Sequence, residues 1–407
     1  MSIWVDEEQK IFHLQSKDTS YIMRVVKGRY LAHVYWGKKI HTPDVENAQL
    51  NRWISFGAAP DGSDKSYSLD YIRQEYPTGC QTDYRMPAVQ AVFEDGSRAV
   101  ELVYESYRIL PGKPGLQGLP ATYVENEEEA DTLEITLSDT LKHMKVILMY
   151  TVYKELDVIT RSVKIRNESA ERIRLEKAVS ASVDFETSDY ELVDLPGAWG
   201  RERHIEKTKL RSGIQELQSR RGASSHQMNP FFALAEPGAG EDRGKVYGFA
   251  LVYSGNFTAG AEVDQIFQTR AWIGLNGYDF SWLLESGETF QTPEAVMVYS
   301  SEGFGKMSRT FHQLFRTRLV RGRYRDEVRP ILANNWEATY FDFDEEKILG
   351  LARTAKELGI ELLVLDDGWF GKRNSDTCSL GDWYVNKEKL PDGIAAPVSY
   401  THLRAHE

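Results

Sequence analysis

Two adjacent carboxylates, Asp366 and Asp367, follow a short apolar run, Leu362-Leu363-Val364-Leu365, and precede Gly368-Trp369. Acids at such a point can ligate a metal, act as an acid–base pair, or accept hydrogen bonds from sugar hydroxyls. A metal needs convergent ligands, and neighbouring residues leaving a strand point apart. No His or Glu cluster stands beside this pair, so no metal ligand is assigned. The same divergence makes them a poor pair for cleaving a glycosidic bond with retention, where the two carboxyls stand about 5–5.5 Å apart. Sugar recognition is easier, because each acid can grip its own hydroxyl. A turn capped by Asp366 accounts for the same residues equally well, and spacing alone does not choose.

Three tryptophans and two polar residues stand as candidates beside them. Trp336 follows another short apolar stretch, where an indole can face a pyranose ring or belong to the core. Trp199 sits in Pro196-Gly197-Ala198-Trp199-Gly200, as a loop anchor or a ligand platform. Asp382, Trp383 and Asn386 can line the same cleft or form a surface loop. Other chemistries lack their signatures: there is no phosphate-binding GxxxxGK[ST], no GxGxxG opening a helix, no HExxH and no GxSxG. His226 beside Ser224 and Ser225 is local and makes no triad.

The elements that must position these residues can be read from periodicity. Pro330 to Trp336 and Glu361 to Leu365 suit strands, the second buried on both faces. Between them Ile348, Leu351, Ala352 and Ala355 fall on one helical face. Asp344 suits the N-cap, Glu345 and Glu346 the first turn, and Gly359 the position after the C-cap. Strand, helix, strand is a βαβ unit. Asn335, Trp336 and Asp366 to Trp369 then share the carboxyl ends of parallel strands, where α/β folds bind ligands.

Upstream, the chain reads as β. Leu133, Ile135 and Leu137 alternate with Thr132, Glu134 and Thr136, and Val179, Ala181, Val183 and Phe185 follow the same period. Ile159 to Ile165 does so with Arg161 breaking it, and His143 to Tyr153 is a longer candidate. This density predicts a large sandwich. A helix is expected from Glu302 to Leu319, with Met307, Phe311, Leu314 and Phe315 as its core stripe and His312 on its surface or hydrogen-bonded. The domain boundary is placed near Asp326, giving 1–325 as the β-domain and 326–393 as the βαβ region. Residues 394–407 have no clear period and are expected to be foreign to the protein.

The 407 residues carry a net charge of −12 and 41% hydrophobic residues, enough for a sizeable core. No basic block appears, so no nucleic-acid partner is expected. Nine Trp, 21 Tyr and 17 Phe suit sugar binding but also any large β-protein. Two cysteines exclude a disulfide framework. They fit a reducing compartment, and with no signal-peptide pattern or membrane span a cytoplasmic location is expected.

The blocks Asn334-Asn335-Trp336-Glu337-Ala338-Thr339-Tyr340-Phe341-Asp342-Phe343, Leu365 to Phe370 and Gly381-Asp382-Trp383-Tyr384 closely resemble bacterial α-galactosidases (melibiases) of glycoside hydrolase family 36. Tyr67 to Tyr76 and Pro196 to Glu202 look similar too, and the resemblance spans roughly residues 1 to 393. It implies an N-terminal β-supersandwich followed by a (β/α)8 TIM barrel, of which this chain holds only the first βαβ unit. It implies retaining hydrolysis of terminal α-galactosyl residues from melibiose- and raffinose-type oligosaccharides, no cofactor, and a homotetramer. Asp366 and Asp367 would then bind galactose hydroxyls, chiefly O4 and O6. Trp336 would line the subsite, and Trp199 would reach it from the β-domain. The nucleophile and the acid/base belong to later barrel strands, so no catalytic residue is assigned and the chain as it stands is expected to be inactive and poorly soluble. A complete barrel takes about 250 residues, far more than Asp326 to Glu407 supplies. Two further readings remain open: action on α-N-acetylgalactosamine or galactosyl transfer within the same family, and a non-catalytic carbohydrate-binding sandwich.

Overall fold

The structure, a computed structural model, describes residues 2–40, 57–224 and 226–395. The expected foreign tail lies outside the described residues from position 396 onward. The chain divides into two compact units, Met1–Val320 and Arg321–Glu407.

The first unit is built from antiparallel sheets. A ten-stranded sheet runs from the edge strand Glu206–Lys209 through Glu191–Pro196, Met228–Ala235, Val246–Val252 and Glu294–Ser300 to Val158–Asn167. It continues through Met144–Tyr153 and Ala130–Asp139 to Val103–Pro111, with Thr289–Gln291 as a side branch. A six-stranded sheet centres on Ile173–Phe185 and Thr269–Leu275, and a four-stranded meander covers Ile3 to Lys38. One apolar cluster joins all three: Phe12 and Tyr21 from the meander, Leu133 and Val146 from the large sheet, Val179 and Trp272 from the other. The period-two alternation read around Leu133 and Val179 therefore marks the faces that meet inside the sandwich.

Arg161 breaks its strand's alternation because it is buried among partners that satisfy it. Its guanidinium donates to the Ser182 and Glu75 carbonyls at 2.5 and 3.2 Å and lies 3.4 Å from the Glu75 carboxylate. Glu75 also accepts from the Tyr21 and Tyr150 hydroxyls at 2.8 and 2.7 Å and meets His33 Nδ1 at 2.7 Å. Burial works against ionisation of Glu75. Arg161, His33 and Tyr150 outweigh it and hold the carboxyl below its usual range.

The helix Gly303–Arg318 lies on the outer face of the large sheet. Met307, Phe311 and Leu314 pack with Val193, Ala233, Ala250 and Val298, and Phe315 joins them partly buried. His312 is exposed, as expected.

The second unit contains a parallel pair, Leu332–Asn334 beside Leu362–Val364. The helix Glu345–Glu357 lies between them in sequence. The Asp344 carboxylate accepts from the Lys347 N–H at 2.9 Å, which is the N-cap read from the sequence. At the other end Gly359 N–H reaches the Lys356 carbonyl at 3.1 Å and Ile360 N–H the Ala355 carbonyl at 2.9 Å. That pair of bonds is a Schellman motif, and Gly359 takes the positive φ of 80° it requires. Ile348, Ala352, Leu363 and Leu365 form the local core. The strands are less buried than their aliphatic composition suggests: Leu332 is 52% exposed, and of Leu362–Val364 only the middle residue is buried.

Candidate functional site

Trp336, Asp366 and Asp367 come together at the carboxyl ends of the two parallel strands. Trp336 opens a single helical turn, Trp336–Thr339, and does not continue the strand. The buried Asn335 closes the strand end. Its N–H donates to the Val364 carbonyl at 3.2 Å and its side-chain oxygen accepts from Asp366 N–H at 2.7 Å. Asn334 bridges the two sides. Its amide nitrogen donates to Asp366 Oδ2 at 2.6 Å, and its amide oxygen accepts from Trp336 N–H at 2.8 Å.

The carboxylates take different partners, as divergent neighbours should. Asp366 accepts from Asn334 on one oxygen and from Asp367 N–H on the other, at 2.7 Å. Asp367 Oδ1 accepts from Gly368 N–H at 2.8 Å and from Arg373 Nε at 2.8 Å. Among the described residues nothing donates to Asp367 Oδ2. No helix begins directly after Asp366, so its cap is that of a turn only.

Gly368 makes that turn possible. Its φ is +92°, and a Cβ there would lie 3.1 Å from Phe341 and 3.3 Å from Phe343. Lys389 ties the turn to its neighbour, donating to the Gly368 and Phe341 carbonyls at 3.1 and 2.7 Å. Burial lowers the Lys389 pKa. The indole of Trp336 meets Phe341 edge-on, with ring centres 4.9 Å apart.

Asn386 is buried at 6% exposure, donates from its N–H to the Trp369 carbonyl at 2.9 Å and caps the turn at Glu388, so it is part of the scaffold. Asp382 is exposed, and Trp383 is 68% exposed against Phe370. Arg373, Lys389 and Asn334 were missed by sequence reasoning. Asn334 alone left a signal, since it begins the block that contains Trp336. Among the described residues no group of three His, Cys, Asp or Glu can hold a metal, and both cysteines are free.

Trp199 belongs to the first unit. It occupies the tip of a two-residue turn in which Ala198 and Arg201 exchange backbone bonds at 3.0 and 2.9 Å. Gly200 takes φ +75°, and Glu202 accepts its N–H at 2.9 Å, which lowers the Glu202 pKa. Gly197 has no room for a side chain: a Cβ would lie 2.6 Å from the Arg201 carbonyl oxygen. The turn leaves the Trp199 indole 87% exposed. A groove of about 550 Å³ in the same unit, between the helix Gly303–Arg318 and the sheet, is lined by Val193, Phe231, Phe304 and Phe311 and includes none of the four candidate residues.

Residues 29–285 match the glycosyl hydrolase family 36 N-terminal domain, and residues 289–406 match the melibiase domain. The chain belongs to glycoside hydrolase family 36. It is 56% identical over 398 residues to α-galactosidase AgaA of Geobacillus stearothermophilus, covering 97% of this chain and 54% of that protein. The crystal structure of that enzyme superposes with a TM-score of 0.95 at 55% identity, over 97% of this chain and 56% of the other. A substituted form of it was solved in complex with raffinose. The α-galactosidase of Lactobacillus brevis superposes with a TM-score of 0.97 at 40% identity, over 99% of this chain and 55% of its own. The family 36 chain described here thus spans about half the length of the curated relatives it matches. A large β-sandwich followed by the start of a melibiase barrel is the architecture it shares with them. Among its described residues no helix is long and apolar enough to cross a membrane.

Proposed function

We propose that this family 36 chain carries the galactose-recognition part of an α-galactosidase, which removes terminal α-D-galactosyl residues with retention from oligosaccharides such as raffinose and melibiose. The observation that carries the reading is the pair Asp366 and Asp367, fixed at the carboxyl ends of parallel strands, with Asp367 Oδ2 left without a donor among the described residues. Galactose differs from glucose in its axial O4. A carboxylate aimed at that hydroxyl is left unpaired when the hydroxyl is equatorial, and sites built this way reject the wrong partner by roughly 10⁴–10⁵. Trp336 supplies an apolar face for the pyranose, and Trp199, exposed on its own turn in the first unit, offers an aromatic face that suits a sugar. The nucleophile and acid/base are assigned to the remainder of the barrel, so these residues bind substrate and do not cleave it.

Isothermal titration of the chain with galactose and glucose tests the reading. Binding of galactose over glucose is expected, with loss in Asp366→Asn and Asp367→Asn. Equal affinity for the two sugars, or galactose binding that survives both substitutions, would overturn it. The same protein is expected to release no p-nitrophenol from p-nitrophenyl α-galactoside.

A further inference from the structure

We propose that Arg373 is a positioning residue that fixes which oxygen of Asp367 faces the sugar and couples that carboxylate to Trp336. This rests on the reading of Asp367 as a galactose ligand. Arg373 is 6% exposed, in the loop after the Asp-Asp-Gly-Trp turn. Its Nε donates to Asp367 Oδ1 at 2.8 Å, while Nη1 donates to the carbonyls of Ser375, Asp376 and Cys378 at 3.1, 3.1 and 2.8 Å. Its guanidinium carbon lies 5.8 Å from the centre of the Phe341 ring, which packs edge-on with the Trp336 indole at 86°.

A carboxylate turns easily about its last torsion, because that rotor has no sharp staggered wells. Two donors on Oδ1, from Arg373 and Gly368, stop the rotation and leave Oδ2 for a ligand. Three carbonyls stop the guanidinium in turn. Only a planar fork of donors can hold a carboxylate with one edge and a loop with another, so lysine is not an equivalent. The charged and titratable groups around Asp367 are Asp366 beside it, Arg373 bonded to it and Lys389 over the turn, with the Asp376 carboxylate and the Cys378 thiol around Arg373 and Asp342 near Lys389. Arg373 is the cation bonded directly to the carboxylate.

Galactose and glucose titrated calorimetrically into the full chain test this, with folding checked by circular dichroism. Arg373→Gln is expected to weaken galactose binding roughly 10- to 100-fold and to lower the preference for galactose over glucose, because Asp367 Oδ2 is no longer held toward the sugar. Arg373→Lys is expected to recover part of the affinity, since it restores charge, but not all of it, since it lacks the planar fork. Folded Arg373→Gln with native affinity and a native preference for galactose over glucose would overturn the proposal while Asp367→Asn still abolishes binding. If Arg373→Gln does not fold, native affinity in folded Arg373→Lys overturns the requirement for a guanidinium. Native binding in Asp367→Asn would remove this proposal and the galactose reading together, which separates that failure from the others.

Discussion

Asn334 and Asp366 leave adjacent parallel strands and meet through their side chains, Nδ2 to Oδ2, at 2.6 Å. The same amide accepts the Trp336 N–H at 2.8 Å, so one side chain sets both an acid and an aromatic wall of the candidate site. Asn334→Ala is expected to leave the fold intact and to weaken galactose binding about tenfold, the usual worth of a hydrogen bond to a charged group. Asn334→Asp keeps the shape but puts a second negative charge against Asp366, and is expected to bind more weakly still above pH 5. Calorimetric titration of both variants checks this. An alanine variant with unchanged affinity would show that Asp366 is oriented by other groups.

Trp199 makes a different prediction because it is 87% exposed on a turn and holds nothing together. Trp199→Ala is expected to shift stability by no more than about 0.5 kcal/mol. If the indole holds sugar, affinity for raffinose is expected to fall. Gly197→Ala tests the turn without touching the indole, since its Cβ would lie 2.6 and 2.7 Å from two carbonyl oxygens. It is expected to copy the raffinose defect. Unchanged raffinose affinity in folded Trp199→Ala would count against a role for the indole in holding sugar.

These residues also mark where sequence reading succeeds. The helix Glu345–Glu357 was legible from both ends because capping uses local residues, Asp344 and Gly359, a few positions from what they satisfy. Asp366 and Asp367 were legible because two acids after an aliphatic run are unusual. Arg373 and Lys389 were not, because their partners are mostly backbone carbonyls, which every residue carries and no pattern announces. Trp336 was expected at the end of a strand, but Asn334 and Asn335 turn the chain into a short helical turn first. Arg161 looked like a flaw in an alternating strand, and its partner Glu75 lies 86 positions away in sequence.

That buried pair gives a stability prediction. Glu75→Gln preserves shape but leaves Arg161 buried without its counter-charge, a change that costs about 3–5 kcal/mol. The sign of the pH dependence follows from the lowered Glu75 carboxyl. Its contribution is present above the unfolded carboxyl range and is lost as pH falls through the lower folded value. Urea denaturation at pH 7 should show the full loss, and the difference between the two proteins should shrink at strongly acid pH. A constant difference at every pH would mean that the ionised carboxylate is not what stabilises the sandwich.

Asp194 predicts the opposite behaviour. It stands directly across from Glu206 where the strands Glu191–Pro196 and Glu206–Lys209 pair, just below the loop that carries Trp199. It is only 6% exposed, and burial followed by repulsion from Glu206 pushes its pKa up to about 6. The folded value lies above the unfolded one, so the native state takes up a proton between about pH 4 and 6. Stability is therefore greater at acid pH and is lost as pH rises through the folded value. Asp194→Asn removes a charge that the fold disfavours. It is expected to stabilise the protein by about 2–3 kcal/mol at pH 8 and by almost nothing near pH 4. Urea midpoints measured at both pH values check this. A gain of the same size at both would mean that packing, not the charge opposite Glu206, sets the strain in this hairpin.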